Sequence, residues 1–495
     1  MKNIIILLFL IASVKAQQTP AIQSQILDLN NISIGVNSDG SAIINNYYLA
    51  GLWKNQPVIY EHGPWLAGKI NDTLKTAFIQ WASHFTPGLL NKTAFADSAE
   101  YHVFKIGRAD DITNPDYYNW PFELGAPGDK SGNPLVYGDL MTWNVFNGAY
   151  ANPGYNNYWD QFISNMGMPV EIRQIVFQRN TSEFENTVFY QWELLNRSSY
   201  TIDSMYFSFW SDLDFGETFQ NFPAVDSSLG LAYCWSPIDS VYYYYPDKRK
   251  IDISPGYVLL QGPEENDSIL PVTAFHPIGD DSWGGWERIA WDPLEIFKLS
   301  KGLKPDGSPV INPFTNKATA FPYNGNPVDS TGWLFDYNRT GGGAGVLFSS
   351  GPFSMEADET QMIRMAFIVG HGDDHLDAVR DLKSKAAFLK ATPFDQIAMI
   401  EKNPVIPENF INVLPNFPNP FNSATTIRID LKTASDIQIT LFDNLGRFLK
   451  TVHSGFHLKG ESFIAVDMSS FASGVYFYRI ESRDKVFTRK MLLLR

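Results

Sequence analysis

"EIRQIVFQRNTSEFENTVFYQWELLNRSSYTIDSMYFSFWSDLDFG", residues 171–216, decides the fold class. Three runs rich in β-branched and aromatic residues, 171–179, 184–196 and 201–216, are parted by short polar breaks. In the middle run Val188, Tyr190 and Trp192 fall on one face, and Phe189, Gln191 and Glu193 on the other. That period of two is what a strand imposes on its side chains.

Working outward, the same reading extends over most of the chain. Ile32–Val36 and Ala42–Tyr48 are strand-like runs around an Asn37-Ser38-Asp39-Gly40 turn, residues 107–160 are rich in Pro, Gly, Asn and Asp, and "QMIRMAFIVG" (361–370) is a further strand. One convincing helical pattern follows at 374–389, before a proline-marked linker over 406–411. Composition agrees: 23 Tyr, 36 Phe and 13 Trp favour strands, and 36 Gly with 30 Pro punctuate them. The expected fold is all-β. The body, divided into 17–170 and 171–405, forms one or two sandwiches with one late helix, and a separate domain occupies 412–495.

Met1-Lys2-Asn3, the apolar run Ile4–Ala12 and the small-residue ending Val14-Lys15-Ala16 read as a signal peptide over 1–16. Nothing downstream is long and apolar enough for a membrane helix. The single cysteine, Cys234, excludes an intrachain disulfide, so an exported chain depends on its buried core. The net charge of -15 is uneven: 412–495 holds 11 basic against 7 acidic residues, whereas 17–411 holds 25 against 46. So acidic a body repels nucleic acid and anionic membranes, and is compatible with glycans, cations or proteins.

In the last domain, Ile427, Ile429 and Leu431 alternate with Arg428 and Asp430, and Ile437, Ile439 and Leu441 with Gln438 and Thr440. Further strands follow at 448–452, 463–468, 475–480 and 486–494, the spacing of an immunoglobulin-like sandwich. "FPNPFNSATTIRIDL", "ITLFDNLGRFLKTV", "SGVYFYRI" and "RKMLLLR" resemble the C-terminal sorting domain of type A cargo of the type IX secretion system. The resemblance implies export to the periplasm, recognition of 412–495 by an outer-membrane translocon and a sorting peptidase, and final residence outside the cell or on its surface. The body, in "VFYQWELLNRSSYTIDSMYFSFWSDLDFG" and "SSGPFSMEADETQMIRMAFIVGHGDD", is similar to large secreted proteins that carry this domain and have no assigned activity.

Two segments of the body carry candidate chemistry. Asp212, Asp214, Glu217 and Asp226 present hard oxygen ligands around a strand end and a glycine, a set that suits calcium. "GDDSWGGWERIAWDP" (279–293) gathers Trp283, Trp286 and Trp291 with Asp280, Asp281 and Glu287, flat aromatic faces for sugar rings beside carboxylates for hydroxyls. Gly63–Ile70 lacks the hydroxyl residue of a phosphate-binding loop and reads as a turn; Gly341–Gly345 reads as a loop. His371-Gly-Asp-Asp-His375 lies at a strand-to-helix junction, where Asp373 caps the helix and Asp374 complements its positive end. No nucleophile signature surrounds Cys234. The expected function is an exported protein with a non-catalytic binding or structural body; the alternative is a secreted glycan-active hydrolase that uses paired carboxylates.

Overall fold

The runs of 171–216 are the strands Val170–Gln178, Thr187–Asn196 and Ile202–Asp212 in the computed structural model of the chain. The structure describes residues 22–495 apart from 43, 45–48, 81–82, 91–100, 130–132, 150–166, 217–220, 243–247, 280–289, 291, 336–343, 401–410, 432–434, 458–459 and 483–484. The signal peptide expected over 1–16 lies outside the described residues.

The first two of these strands pair antiparallel, Val170 opposite Asn196 through Phe177 opposite Phe189. The third belongs to another layer, between Glu61–Ile70 and Ala344–Met355. Asn196 builds the corner where the chain changes sheets. It is fully buried, and its amide donates to the carbonyls of Tyr200, Met355 and Glu356 at 2.8–3.0 Å. The larger sheet runs in the order Phe222–Asp226, Leu231–Trp235, Ile253–Gln261, Thr360–His371, Thr187–Asn196, Val170–Gln178, Leu140–Asn147, Thr86–Pro87. The five-stranded sheet runs Ala274–Gly279, Ala344–Met355, Ile202–Asp212, Glu61–Ile70, Thr73–Phe78.

The inner faces of these sheets form one core. Tyr190, Trp192, Tyr257 and Phe367 of the larger sheet pack on Phe207, Phe209 and Phe348 of the smaller. Trp192 lies 5.4 Å and 5.5 Å, ring centre to ring centre, from Phe207 and Phe209. A polar link crosses the same interface: His62 Nδ1 is 2.9 Å from Tyr257 Oη, which is 3.0 Å from Ser211 Oγ. Burial pushes the His62 pKa down to about 3, so the ring stays neutral. A small meander, Ser24–Leu27 to Gln56–Ile59, adds Ile32, Ile34 and Val36 to this core.

Each sheet also buries its outer face. The helix Pro293–Ser300 covers Trp65, Trp210 and Leu347 of the five-stranded sheet. The helix His375–Ala391 turns Ala378, Val379 and Leu382 inward and lies against Ile253–Gln261 and Thr360–His371. Its approach is close enough that a Cβ on Gly370 would stand 2.2 Å from the Ala378 carbonyl oxygen.

The expected late helix is therefore present, one residue later than its pattern begins, and joined by the shorter helix Pro293–Ser300. Asp292 caps that shorter helix through the Glu295 amide, and Pro293 sits in its first turn. The expected division at residue 170 is not followed by the pairing, because strands from both sides of it share both sheets. Gly63–Ile70 is strand rather than turn, with Gly63 packed against Ile79.

The second compact unit comprises 106–139 and 393–495. Its C-terminal part is a seven-stranded sandwich. One sheet holds Ile411–Phe417, Ala424–Leu431 and Gly460–Asp467, and the other Phe448–His457, Ser435–Asp443, Gly474–Ser482 and Lys485–Leu493. Ile427, Ile429, Ile439, Leu441, Val466, Tyr478 and Met491 fill the space between them. The linker expected over 406–411 gives way to strand at Ile411. Among the described residues, no helix is long and apolar enough to cross a membrane.

Candidate functional site

The Ile202–Asp212 strand delivers the calcium candidates to one end of the five-stranded sheet. Alternation puts Phe209 and Ser211 inward and Trp210 outward, and the strand ends at Asp212. The Asp212 carbonyl accepts from the Tyr60 amide at 2.9 Å, and the Asp214 amide donates to Val58 at 3.2 Å. Burial, joined by the charge of Asp214, pushes the Asp212 pKa up to about 7. The two carboxylates thus repel each other at the strand end.

Immediately beyond, the chain turns as its glycine suggested. Gly216 has φ 66°, and the Phe215 amide donates to Asn221 Oδ1 at 3.3 Å. Glu217 lies outside the described residues. Asp226 does not join Asp212 and Asp214. The Phe222–Leu231 hairpin carries it away to the His375–Ala391 helix, where it meets Lys383 Nζ at 3.0 Å and accepts from Ser228 Oγ at 2.6 Å. Burial alone would raise its pKa, but Ser228 and Lys383 bring it below the ordinary carboxylate value. The buried Cys234 thiol is pushed well up by burial and by Asp212 and Asp214, which disfavours the thiolate.

Asp280, Asp281, Trp283, Trp286, Glu287 and Trp291 lie outside the described residues. Their flanks are fixed, however. Pro277 and Ser211 pair from opposite sides with Val346, and Gly279 pairs with Ala344, so the segment leaves the sheet at the end where Asp212 does. At the other flank, the Ala290 carbonyl accepts from Gln80 Nε2 at 2.9 Å, ahead of the Asp292 cap. Gly279 and Asp212, distant in sequence, thus stand at the same end of one sheet.

A second group stands at this end of the body, built from the His371–His375 segment and two aspartates distant in sequence. His375 Nδ1 bonds Asp239, and with Asp374 these offer three ligand atoms within 4.8 Å of one another. His371 Nε2 lies 3.5 Å from Asp252. Asp374, rather than Asp373, caps the helix, accepting from the Leu376 and Asp377 amides at 2.8 Å each. These bonds hold its carboxyl below the ordinary value. No local motif could reveal Asp239 or Asp252, which reach the junction from more than a hundred residues earlier in the chain. Gly216 packs here too, since a Cβ on it would stand 3.3 Å from Ile251.

Among solved structures, a polysaccharide lyase is similar at 9% identity over 65% of this chain and 34% of its own, with a TM-score of 0.20. The chain spans about a third of that enzyme's length, and a likeness at this level carries no argument. No curated protein matches the chain. Residues 416–494 match the family described as the secretion system C-terminal sorting domain, and they coincide with the seven-stranded sandwich. With that sorting domain the chain is a cargo of the type IX secretion system, carried to the cell surface or the extracellular space.

Proposed function

We propose that the exported body is a non-catalytic binding module, and that its ligand is a glycan held at the Asp212 end of the sandwich with calcium as the bridging ion. The observation that supports this reading is the convergence of the Asp212–Asp214 strand end with the flanks of the Trp283–Trp291 segment. Indoles stack on the apolar faces of sugar rings, while a carboxylate-bound calcium ion takes up hydroxyl oxygens. Before delivery, 412–495 engages the translocon and the sorting peptidase, and 1–16 directs entry to the periplasm.

The alternative, a glycan-active hydrolase, has one observation in its favour. A carboxyl with a pKa of about 7 beside a second carboxylate is the pairing in which one group donates a proton and the other stays ionised. The two readings separate in one experiment. The purified chain is incubated with a panel of soluble and insoluble polysaccharides, with calcium and with a chelator, scoring retention and new reducing ends. Retention that needs calcium and yields no new ends is the expected result. New reducing ends, lost in Asp212→Asn, would replace the binding reading with the hydrolase; a blank on both scores would remove glycan as the ligand.

A further inference from the structure

Two of the chain's eight histidines face each other on the sorting domain, on the strand Phe448–His457. His453, Gly455 and His457 lie two residues apart in turn and so share one face of that strand. Gly455 places no side chain between the rings. A Cβ on it would stand 3.7 Å from His453 Nε2, so the His453 ring lies over the glycine. The imidazoles close across this gap, with centroids 4.7 Å apart and Nε2 atoms at 2.7 Å. His457 Nδ1 is 2.9 Å from Ser462 Oγ, on the Gly460–Asp467 strand of the other sheet.

At 2.7 Å the two nitrogens stand within hydrogen-bond reach, too close for two like-charged imidazolium rings. We propose that His453 and His457 form a two-imidazole chelate for late first-row transition ions of the zinc, nickel and copper class. With bonds of about 2.0–2.1 Å, an ion holding both nitrogens sets them roughly 2.9–3.4 Å apart for angles between octahedral and tetrahedral. The rings need open by only a few tenths of an ångström. Ser462 supplies the partner on the distal nitrogen that orients a metal-binding imidazole. Nitrogen donors select this class over calcium and magnesium, which prefer oxygen. Protons compete with the metal for imidazole nitrogen, so affinity falls as the pH drops through the imidazole range.

Titration of the full chain with zinc chloride at pH 7.5, followed by calorimetry, tests the site. The expected result is one equivalent of saturable binding, weakened at least about tenfold, as loss of one of two ligands implies, in His453→Ala and in His457→Ala. A third variant, Gly455→Val, keeps both imidazoles and wedges them apart; it should lose zinc equally while its circular dichroism stays that of the parent. His375→Ala, which removes the histidine of the Asp239–Asp374 group, should leave that equivalent in place. Zinc binding unchanged in all three strand variants, or lost in His375→Ala, would overturn the proposal.

Discussion

At pH 8, Asp212→Asn is expected to resist urea better than the parent chain, by about 2–4 kcal/mol. The Asp212 carboxyl has a pKa of about 7 in the folded protein, against roughly 3.9 in an unfolded chain. The folded state therefore binds this proton more tightly. Its contribution to stability is complete below pH 4, shrinks as the pH rises, and is gone above pH 7. Three pH units at about 1.36 kcal/mol each set a ceiling near 4 kcal/mol. Asparagine keeps the shape without the charge, so the variant escapes that loss, less whatever its amide leaves unbonded. Unfolding curves of variant and parent should coincide near pH 4 and separate by pH 8. Under the proposed calcium site, excess calcium should narrow the gap, because an ion on the ionised pair would stabilise the parent alone. Equal stability of the two proteins at both pH values would contradict the burial of Asp212 beside Asp214.

Trp192→Ala should be the more damaging change, a loss of about 5 kcal/mol or more for the body. Trp192 is 1% exposed, stacks on Tyr190 with ring centres 5.4 Å apart and meets Phe207 and Phe209 across the sandwich. Removing such a ring costs about 3–5 kcal/mol in transfer and residual cavity. Its indole also donates to Gln174 Oε1 at 2.7 Å, and Gln174 in turn donates to Asn144. The orphaned buried acceptor adds about 1–3 kcal/mol. Trp192→Phe separates the terms, keeping most of the packing and losing the hydrogen bond, for a loss of about 1–3 kcal/mol. Denaturant unfolding followed by near-ultraviolet circular dichroism measures both; a loss under 1 kcal/mol for Trp192→Ala would contradict the packing described.

The residues themselves explain which parts of this fold were legible. A period of two over 187–212 is a local property, and it identified strands correctly. That the chain changes sheets at 197–200 was hidden, because Asn196 makes the corner with Met355 and Glu356, some 160 residues away. The edge strand Ile411–Phe417 was masked by Pro415, which is tolerated there because an edge strand leaves some amides unpaired. At the candidate site, alternation revealed the strand that ends at Asp212. Nearness in sequence was a poor guide to Asp226, since a hairpin separates it from that strand end and Lys383 engages it. The Asp239–Asp374–His375 group shows the converse: folding brings Asp239 to the adjacent pair Asp374 and His375. The Asp292 cap and Pro293 did announce a helix, but there the tryptophans on either side of Glu287 drew the reading toward sugar chemistry.

Export is the claim on which every functional statement here depends, and localisation tests it most directly. The full chain and a chain lacking 412–495 are expressed in a host with a working type IX system, and each is followed through periplasm, cell surface and medium. The account predicts that the full chain reaches the surface or medium while the shortened chain accumulates, folded, in the periplasm. Equal appearance of both outside the cell would contradict it.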